Sequence, residues 1–402
     1  MNQINEKKLN NIVYEDICNK KRFTDDKKMS ENLLKKALAD AVIKIDKLWD
    51  DVHGNFPSHS SFDGKYEEEE NYTSAGWNTG FWTGMLWLAY EATGDEKYKE
   101  RALSHIDSFY RRIEDKQGVN HHDMGFLYVP SCVGAYKLVG DEKAKDAAIM
   151  AADHLLTRYI EKGGYIQAWG NVGEQARLIV DCMNNIPLLF WASEVTGNKD
   201  YYEKGYNHAI ATINNIVRDD ASTHHTYYFN EDGTPAYGKT AQGAGDDSCW
   251  ARGQAWIISG LPLSYKYTKC FEMKELFKKV TNYYVNRLPE DFVPYWDMTF
   301  SDGCDEPRDS SSAAIAVCGI LEMLPHIDDE NLKKVYEGVI DKTMYSLYEN
   351  YSTKNNPESN GLLLHATYTK PGNFGVDECN IWGCYYYMEA LVRMIKGTKG
   401  YW

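Results

Sequence analysis

The most regular feature of the chain is an alternation between apolar, aromatic segments and charged, amphipathic segments. Residues 89–93 end an apolar segment, Gly94 follows, and residues 95–98 start a charged one with two acidic side chains. A Gly after the last periodic residue ends a helix, and acidic residues are typical of a new first turn. The arrangement returns at residues 135–144 and 192–201, with weaker copies at 264–268 and 321–325. The pattern therefore predicts a repeated helical hairpin.

Counting the hairpins predicts the fold class. A helix is expected at residues 31–50, after Ser30 as its cap, and a last one at residues 388–395, before Gly397. With these two, the chain forms about six pairs of one apolar and one amphipathic helix. Apolar helices are buried and amphipathic ones cover them, so we predict an all-α (α/α)6 barrel. An open superhelical array is the alternative, but starting on an outer helix and ending on an inner one favours closure.

The domain organisation follows from the same pattern. Residues 1–30 are polar and are expected to be an N-terminal leader without a secretory signal, and residues 31–402 a single catalytic domain. Residues 51–75 carry Pro, Gly, Ser and an acidic run at 67–70, which predicts a loop.

Charge and cysteine usage limit the partners and the location. The net charge of −15 makes nucleic acid and anionic membranes poor partners, and no apolar run is long enough to span a membrane. The nine Cys are scattered and odd in number, which favours reduced thiols in a cytoplasmic protein. Aromatic residues make up 13% of the chain, which suits either a large core or stacking on sugar rings.

One carboxylate interrupts the apolar run of residues 178–190. Asp181 lies in this run, and Asp is rare in such surroundings unless it is paired or catalytic. Pro187 follows, and Pro is tolerated only in the first turn of a helix, so Asp181 is predicted at or just before a helix N-terminus. Desolvation raises a carboxyl pKa and the helix dipole lowers it, which makes Asp181 a candidate general acid or base. The alternative is a buried Asp that only caps its helix.

An unusual motif precedes each predicted inner helix. If the inner helices run parallel, these motifs meet at one end of the barrel, where six helix N-termini favour an anionic ligand. His121 and His122 precede Asp123, the second candidate carboxylate, whose alternative is again a helix cap. A pair of carboxylates in an aromatic pocket is typical of sugar hydrolysis. The motifs lie at residues 77–82, 121–126, 181, 246–256, 308–312 and 381–385.

Arg252 is a candidate ligand contact among Trp250, Gln254 and Trp256. An Arg there can fork onto a carboxylate while a Trp stacks on a ring; the alternative is an Arg that only lines the core. The His pairs could suggest a metal, but no ligand spacing such as His-Glu-x-x-His occurs and adjacent His side chains point apart. We therefore expect neither a metal nor a cofactor.

Together these motifs resemble the unsaturated glucuronyl hydrolases, family 88 of the glycoside hydrolases. The resemblance runs from about residue 77 to 402, and its most specific parts are residues 121–126, 166–170, 180–182 and 250–256. It implies an (α/α)6 barrel, in agreement with the hairpin pattern. Matched residue by residue, it implies that Asp181 is the general acid/base and Asp123 a second essential carboxylate. The implied substrate contacts are Trp77, His122, Trp169, His225, Gln242, Arg252, Trp256 and Tyr368.

The chain also departs from the family pattern. Thr79 stands where the family tends to carry Asp or Asn, and Cys384 where it tends to carry Asp. Members that prefer sulfated substrates carry two serines where this chain has Ala366 and Thr369, followed here by Lys370.

The resemblance implies an unusual reaction and a small-molecule partner. The substrate is a 4,5-unsaturated hexuronic acid at the non-reducing end of a lyase-generated oligosaccharide, such as a glycosaminoglycan disaccharide. Protonation of C4 and addition of water at C5 hydrate the vinyl ether, after which the hemiketal opens and the aglycone leaves. An unsaturated rhamnogalacturonyl hydrolase is the alternative enzyme, and a non-catalytic sugar-binding toroid the alternative of another class.

Overall fold

The computed structural model describes residues 3–69 and 76–402, and it is mainly helical. The α-helices are α1 (Glu6–Asn11), α2 (Lys21–Thr24), α3 (Glu31–Asp51), α4 (Thr79–Thr93), α5 (Glu96–Ser104), α6 (Ile106–Glu114), α7 (Met124–Tyr128), α8 (Gly134–Val139), α9 (Glu142–Leu156), α10 (Pro187–Thr196), α11 (Lys199–Asn215), α12 (Ala251–Thr268), α13 (Phe271–Asn286), α14 (Ser310–Met323), α15 (Glu330–Ser346) and α16 (Ile381–Lys396). Turns of 3-10 helix lie at Val180–Asn184, Leu324–His326 and Thr353–Asn355, and π-helical turns at Val129–Val133 and Leu347–Tyr351.

The strands are short and pair only antiparallel. They are β1 (Phe56–Pro57), β2 (Glu68–Glu69), β3 (Tyr159–Ile160), β4 (Tyr165–Ile166), β5 (Arg177–Ile179), β6 (Thr226–Phe229), β7 (Pro235–Lys239), β8 (Ala366–Thr369) and β9 (Phe374–Glu378). They form the pairs β1–β2, β3–β4 and β8–β9 and the three-stranded sheet β5–β6–β7. The first pair falls in the loop predicted at residues 51–75, of which residues 70–75, and with them the last acidic residue of the predicted run, lie outside the described residues.

The helices form two rings, which confirms the predicted (α/α)6 barrel. The outer ring consists of α3, α5 with α6, α9, α11, α13 and α15. The inner ring consists of α4, α7 with α8, α10, α12, α14 and α16. Inner helices are buried almost all round, whereas outer helices bury one face. Helix α16 packs against α14, α4 and α3, so the ring is closed and is not an open array.

The predicted helix ends hold where Gly marks them, but the last helix begins at Ile381 and not at the predicted residue 388, so the motif at residues 381–385 forms its first turns. The helix expected at residues 31–50 ends at Asp51, and the Ser30 side chain accepts a hydrogen bond from the Leu33 amide. The hairpin residues Gly94, Gly140 and Gly197 end inner helices with φ of 71°, 71° and 75°. Only Gly adopts this left-handed conformation without strain, so it turns the chain cheaply into the next outer helix.

Inner-helix N-termini all lie at one end of the barrel, which we call the mouth. Strand β5 leads directly into the 3-10 turn Val180–Asn184 at the mouth, and the β8–β9 hairpin lies beside it. Polar and aromatic residues just before the inner helices therefore face a common space.

Trp402 fills the barrel from the opposite end. Its indole stacks on Tyr386 with ring centroids 6.0 Å apart and donates a hydrogen bond from Nε1 to Glu389. It also lies 6.2 Å from the ring of Phe126, which contacts pocket aromatics from below. The core of the barrel is thus continuous from its closed end to the floor of the mouth.

The first thirty residues also contribute to packing. Ile12, Ile17, Phe23 and Met29 are all buried in the same apolar core as the barrel helices. Asp341 of α15 accepts hydrogen bonds from the amides of residues 28 and 29, which fixes this segment to the outer ring. Among the described residues, no helix is long and apolar enough to cross a membrane.

Candidate active site

A pocket of about 280 Å³ opens at the mouth of the barrel. Eight of the ten residues predicted for the site line it, and His122 and His225 lie directly behind its wall. Trp250 and Thr369 also line it, although neither was among the predicted site residues. The lining residues are Trp77, Asp123, Trp169, Asp181, Gln242, Trp250, Arg252, Trp256, Tyr368 and Thr369.

Asp181 lies in a single 3-10 turn between β5 and α10. Apolar neighbours bury this turn, because Val180, Cys182 and Met183 are each 0% exposed. Helix α10 begins at Pro187, as predicted, yet the Asp181 side chain makes no capping hydrogen bond. Its Oδ1 atom is buried without a hydrogen-bond partner. An unpartnered buried carboxylate oxygen is costly, so this arrangement favours a working carboxyl group over a helix cap.

Asp123 occupies the N-cap position of α7 without acting as its cap. No backbone amide of the helix donates to its side chain. Its Oδ2 instead lies 3.2 Å from Nδ1 of His121, and that ring nitrogen also accepts a hydrogen bond from the Asp123 amide. The carboxylate is turned toward the pocket and away from its own helix.

His122 connects the two carboxylates. Its Nε2 lies 3.3 Å from Oδ1 of Asp123 and 3.4 Å from Oδ1 of Asp181. Both ring nitrogens are buried, and neither is aligned for a hydrogen bond. Burial lowers the pKa of His122, but the charges of the two carboxylates outweigh it, so its pKa lies above the ordinary value.

The two carboxyl groups have opposite pKa shifts. Burial raises the pKa of Asp181 above the ordinary Asp value, against the opposing influence of His122. Burial also pushes up the pKa of Asp123, but the charge of His122 and the contact with His121 outweigh it, so the pKa of Asp123 is lowered. Adjacent carboxyl groups with separated pKa values are typical of an acid/base pair in which one group is protonated and the other ionised.

Trp169 is held in a strained backbone conformation at the pocket wall. Its φ is 48°, which is uncommon for a residue with a bulky side chain and costs backbone strain. Arg158, 1% exposed, donates hydrogen bonds to the carbonyls of Trp169, Gly170 and Gln167 at 2.8–2.9 Å. The guanidinium of Arg177 lies 4.9 Å from the indole ring. Two arginines therefore fix this Trp, and sequence reasoning missed both because neither lies in a motif.

The guanidinium group of Arg252 is fixed inside the protein by three hydrogen bonds. One terminal nitrogen donates to Oδ2 of Asp309 at 2.5 Å and to the Thr367 carbonyl at 2.6 Å. The other donates to the Tyr368 carbonyl at 2.6 Å. Arg252 thus ties α12 to α14 and to β8 while its stem and guanidinium edge line the pocket. Contact with substrate stays a prediction, and positioning of Tyr368 is a second role that the sequence did not reveal.

Tyr368 is the centre of a network along one wall. Its hydroxyl accepts a hydrogen bond from Nε1 of Trp77 at 3.0 Å, and its carbonyl accepts one from Nε2 of Gln242 at 2.8 Å. Trp256 lies at the floor, with its ring 5.0 Å from that of Phe126. These contacts leave aromatic faces and amide groups available to a sugar ring.

His225 lies behind the pocket between two indoles. Its ring is 5.7 Å from that of Trp169 and 4.5 Å from that of Trp250. Nδ1 accepts the amide hydrogen of Ala241, and burial lowers the pKa of His225 to about 3. It is therefore a neutral imidazole whose Nε2 is buried without a partner.

Asn184 and Asn185 connect the Asp181 turn to its neighbours. Oδ1 of Asn185 accepts the Phe126 amide at 2.9 Å, which joins the Asp181 turn to the helix that follows Asp123. Nδ2 of Asn184 donates to the Trp256 carbonyl at 2.9 Å. These bonds fix the distance between the carboxylates and the pocket floor.

Two of the departures from the family pattern, Thr79 and Cys384, lie outside the pocket lining, whereas Thr369 lines it. Thr79 is buried and accepts a hydrogen bond from Arg112 at 3.1 Å. Cys384 is buried in the first turns of α16, where its sulfur contacts the Tyr66 hydroxyl and the Leu362 amide at 3.4 Å. Both therefore act within the packing around the site.

His122, Asp123 and Asp181 also form a cluster with metal-ligand chemistry. One ligand atom from each lies within 4.8 Å of the others. His and carboxylate groups at this separation fit a divalent transition metal, which the sequence spacing did not suggest. The cluster fits equally an imidazolium between two carboxyl groups, as the raised pKa of His122 indicates.

The barrel and its paired carboxyl groups define a glycoside hydrolase site, and comparisons with known proteins identify the family. The model of Glycosyl Hydrolase Family 88 matches residues 28–397. The chain therefore belongs to glycosyl hydrolase family 88.

Individual relatives agree with this assignment. The chain is 46% identical to the unsaturated chondroitin disaccharide hydrolase of Streptococcus agalactiae serotype III (strain NEM316), over 98% of this chain and 100% of the relative. It is similar to the crystal structure of unsaturated glucuronyl hydrolase from Streptococcus agalactiae, with TM-score 0.94, 46% identity, and coverage of 97% and 99% of the two chains. A solved UGL variant with dGlcA-Glc-Rha-Glc has TM-score 0.87 and 36% identity, over 91% of this chain and 98% of that one.

Proposed function

We propose that the protein removes the 4,5-unsaturated hexuronic acid from the non-reducing end of chondroitin- and hyaluronan-type disaccharides by hydrating the C4=C5 bond. The opposite pKa shifts of Asp181 and Asp123, two carboxyl groups in contact with one buried imidazole, carry the proposal. The names of the relatives, an unsaturated chondroitin disaccharide hydrolase and an unsaturated glucuronyl hydrolase, support the substrate class.

Asp181 is the proton donor and acceptor in this mechanism. Its raised pKa favours the protonated form, and it delivers that proton to C4 of the vinyl ether. The electron pair of the double bond forms the new C–H bond, and positive charge develops at C5 and the ring oxygen. The resulting Asp181 carboxylate then takes a proton from water as the water oxygen bonds to C5, which restores the acid. The hemiketal opens, and the aglycone leaves with its anomeric oxygen.

Asp123 stabilises the charge that Asp181 creates. Its lowered pKa keeps it ionised, so a negative charge lies beside the cationic intermediate. His122 lies between the two carboxyl groups and holds them in position. Trp169, Trp256 and Tyr368 supply flat faces for the sugar ring.

We further propose that sulfated disaccharides are not strongly preferred. Ala366 is buried, has no hydroxyl group, and stands where sulfate-preferring relatives carry a serine. Thr369 keeps a hydroxyl at the pocket wall, and Lys370 keeps a positive charge beside it. The expected selectivity between 6-sulfated and unsulfated substrates is therefore weak.

A panel of lyase-generated disaccharides tests both proposals. The conjugated C4=C5–carboxylate chromophore absorbs in the ultraviolet and disappears only on hydration, so the decay of absorbance measures turnover. We expect decay with unsulfated chondroitin and hyaluronan disaccharides. Binding without decay would indicate a sugar-binding toroid, and a strong kcat/KM preference for the 6-sulfated disaccharide would contradict the second proposal.

A cytoplasmic location completes the proposal. All nine cysteines are free, and six of them are buried in the fold. A protein whose fold uses reduced thiols in this way suits a reducing compartment. Fractionation of cells that express the protein, with disaccharide hydrolysis as the readout, tests this location.

A further inference from the structure

A second cavity of about 540 Å³ lies beside the pocket and is roughly twice its size. It is lined by residues 58–62, 67, 69, 373–376 and 378, from the β1–β2 region and from strand β9. No step of the proposed reaction uses it. The catalytic pocket alone is just below the usual volume of a small-molecule site, so a longer oligosaccharide needs room beyond it.

Tyr368 joins the two cavities. Its side chain lines the catalytic pocket, while its ring stacks on His59 at 6.3 Å and meets the edge of Phe374 at 5.5 Å. His59 and Phe374 both line the second cavity. In the β8–β9 hairpin, Thr369 of the pocket is paired with Phe374 of the cavity. A chain of sugars that leaves the catalytic pocket over this hairpin therefore arrives directly in the second cavity.

Side chains of the second cavity suit a neutral sugar. Phe62 and Phe374 are 80% and 52% exposed, which is unusual for Phe and leaves flat apolar faces open to a ring. The hydroxyl of Ser60 is buried without a partner at the cavity wall. The exposed aromatic faces are suited to stacking on a sugar ring.

The charge of this cavity is negative. Glu67, Glu69 and Glu378 line it, and among its described lining residues there is no Lys or Arg. Glu378 is fixed by hydrogen bonds from the amides of residues 63 and 64, and Glu69 pairs with His59 at 3.6 Å. Burial lowers the pKa of His59, so this ring adds little positive charge. A carboxylate or sulfate placed here would be repelled.

We infer that this cavity is an additional sugar-binding site, for the reducing-end residues of oligosaccharides longer than a disaccharide, and that it accepts neutral sugars and disfavours anionic ones. The inference rests on the proposed function, since it concerns the aglycone of the same reaction. Glycosaminoglycan tetrasaccharides carry a second uronic acid in third position and meet the acidic wall. Oligosaccharides with a neutral third sugar place no charge against this acidic wall. The solved UGL variant with dGlcA-Glc-Rha-Glc is a related protein with such an oligosaccharide.

The aromatic part is tested with Phe62→Ala and three substrates: an unsaturated disaccharide, a tetrasaccharide with a neutral third sugar, and one with a uronic acid there. The ratio of kcat/KM for the neutral tetrasaccharide to that for the disaccharide should fall roughly three- to tenfold. Phe271→Ala is the matched control, because Phe271 is 61% exposed on outer helix α13 and lies outside both cavities. That control should leave the ratio unchanged.

The electrostatic part is tested with Glu67→Gln. The anionic tetrasaccharide should gain several-fold in kcat/KM relative to the neutral one, and added salt should reduce the gain. Glu68→Gln is the control, because Glu68 follows directly in the chain but bonds away from the cavity, to His53 and Asn55. It removes the same charge and should leave the preference unchanged.

The outcomes separate this inference from the proposed function. If no disaccharide is hydrolysed by the unmodified protein, the proposed function fails. If the disaccharide is hydrolysed but Phe62→Ala and Phe271→Ala give the same substrate ratio, the additional site is wrong. Equal effects of Glu67→Gln and Glu68→Gln on the anionic tetrasaccharide would overturn its charge selectivity.

Discussion

The two ends of the barrel differ in the residues that adopt a left-handed backbone conformation. At the hairpin end, the left-handed φ values fall on glycines at Gly94, Gly140 and Gly197, with Lys269 after α12 as an exception. At the mouth, Trp169 has a left-handed φ, and the buried guanidinium of Arg158 holds it there through the carbonyls of Trp169 and Gly170. A left-handed L-residue costs about 1–2 kcal/mol, which is accepted at the mouth because the indole faces the pocket.

Helix starts show the same contrast. The outer ring has six members, counting α5 with α6 as one, and five of them begin with a side chain that caps the helix. These caps are Ser30, Asp95, Asp141, Asn198 and Asp329. In the inner ring, only two of the six members, counting α7 with α8 as one, begin with a capping side chain, at Asp309 and Asn380. A cap stabilises a helix by about 1 kcal/mol, so the mouth gives up this stabilisation to leave polar groups free for a ligand. Stability is concentrated in the outer ring and chemistry at the inner N-termini.

The largest expected effect comes from Asp181→Asn at the mouth. Asn keeps the shape of the side chain but cannot give a proton to C4 or take one from water. We expect kcat to fall by about 10²–10⁴ or more, because one group serves both proton steps. The unfolding midpoint should change little, because no capping bond is lost. Measurement of chromophore decay and thermal unfolding checks this, and a folded variant that turns over at near the original rate would end the mechanism.

The pH dependence of turnover tests the opposite pKa shifts of Asp181 and Asp123. Turnover needs Asp181 protonated and Asp123 ionised, so burial of Asp181 extends activity toward higher pH, and the lowered pKa of Asp123 extends it toward lower pH. Positive charge on His122 lowers both pKa values, so His122→Gln should move both limbs of the kcat/KM profile to higher pH. Each limb of the profile reports an apparent pKa of the coupled pair Asp123 and Asp181, and not of one residue alone. Limbs that do not move would show that His122 carries no charge in the active form.

Arg252→Lys should have an intermediate effect that combines binding and stability. A Lys can keep the ion pair with Asp309 but cannot also hold the carbonyls of Thr367 and Tyr368. We expect KM to rise roughly tenfold and the free energy of unfolding to fall by about 1–3 kcal/mol, the range of hydrogen bonds to charged groups. Steady-state kinetics and denaturant unfolding measure the two. An unchanged KM would mean that Arg252 serves the fold alone.

At the hairpin end, Gly197→Ala should affect stability without affecting catalysis. An added Cβ meets no atom within 4 Å, so the cost is the strain of a φ of 75° alone, about 1–2 kcal/mol. The kcat and KM should stay at the original values. Loss of activity at a temperature where the variant is folded would show that the two ends are coupled, against the division argued above.

Removal of divalent metal should have the smallest effect. The cluster of His122, Asp123 and Asp181 has distances that a metal ion could use, but an imidazolium between carboxyl groups satisfies the same charges. We expect turnover to be unchanged after extensive chelation. If chelation abolished turnover and a divalent ion restored it, a bound metal, and not the His122 imidazolium, would connect the two carboxyl groups.

Local sequence patterns were sufficient for the barrel and for Asp181, whereas most of the other predicted site residues came from the resemblance to a family. Hairpin glycines and apolar periodicity define the two rings, and a carboxylate in an apolar run marks Asp181. Arg158 and the anchoring of Arg252 could not be predicted, because most of their hydrogen-bond partners are backbone carbonyls, which any residue provides. Trp250 lies in the motif around Arg252, so its aromatic character was a usable signal for the pocket wall.

Closure of the ring through α16 also sets the order in which the chain can complete its fold. Helix α16 fills the gap between α14 and α4 and touches α3, so the last inner helix seals a seam against helices from the first hundred residues. During synthesis, α4 must therefore wait for almost the whole chain with one apolar side uncovered. Long-range contacts of this kind form slowly and leave hydrophobic surface open to aggregation. We therefore expect the barrel to complete its core only after its final helix has emerged.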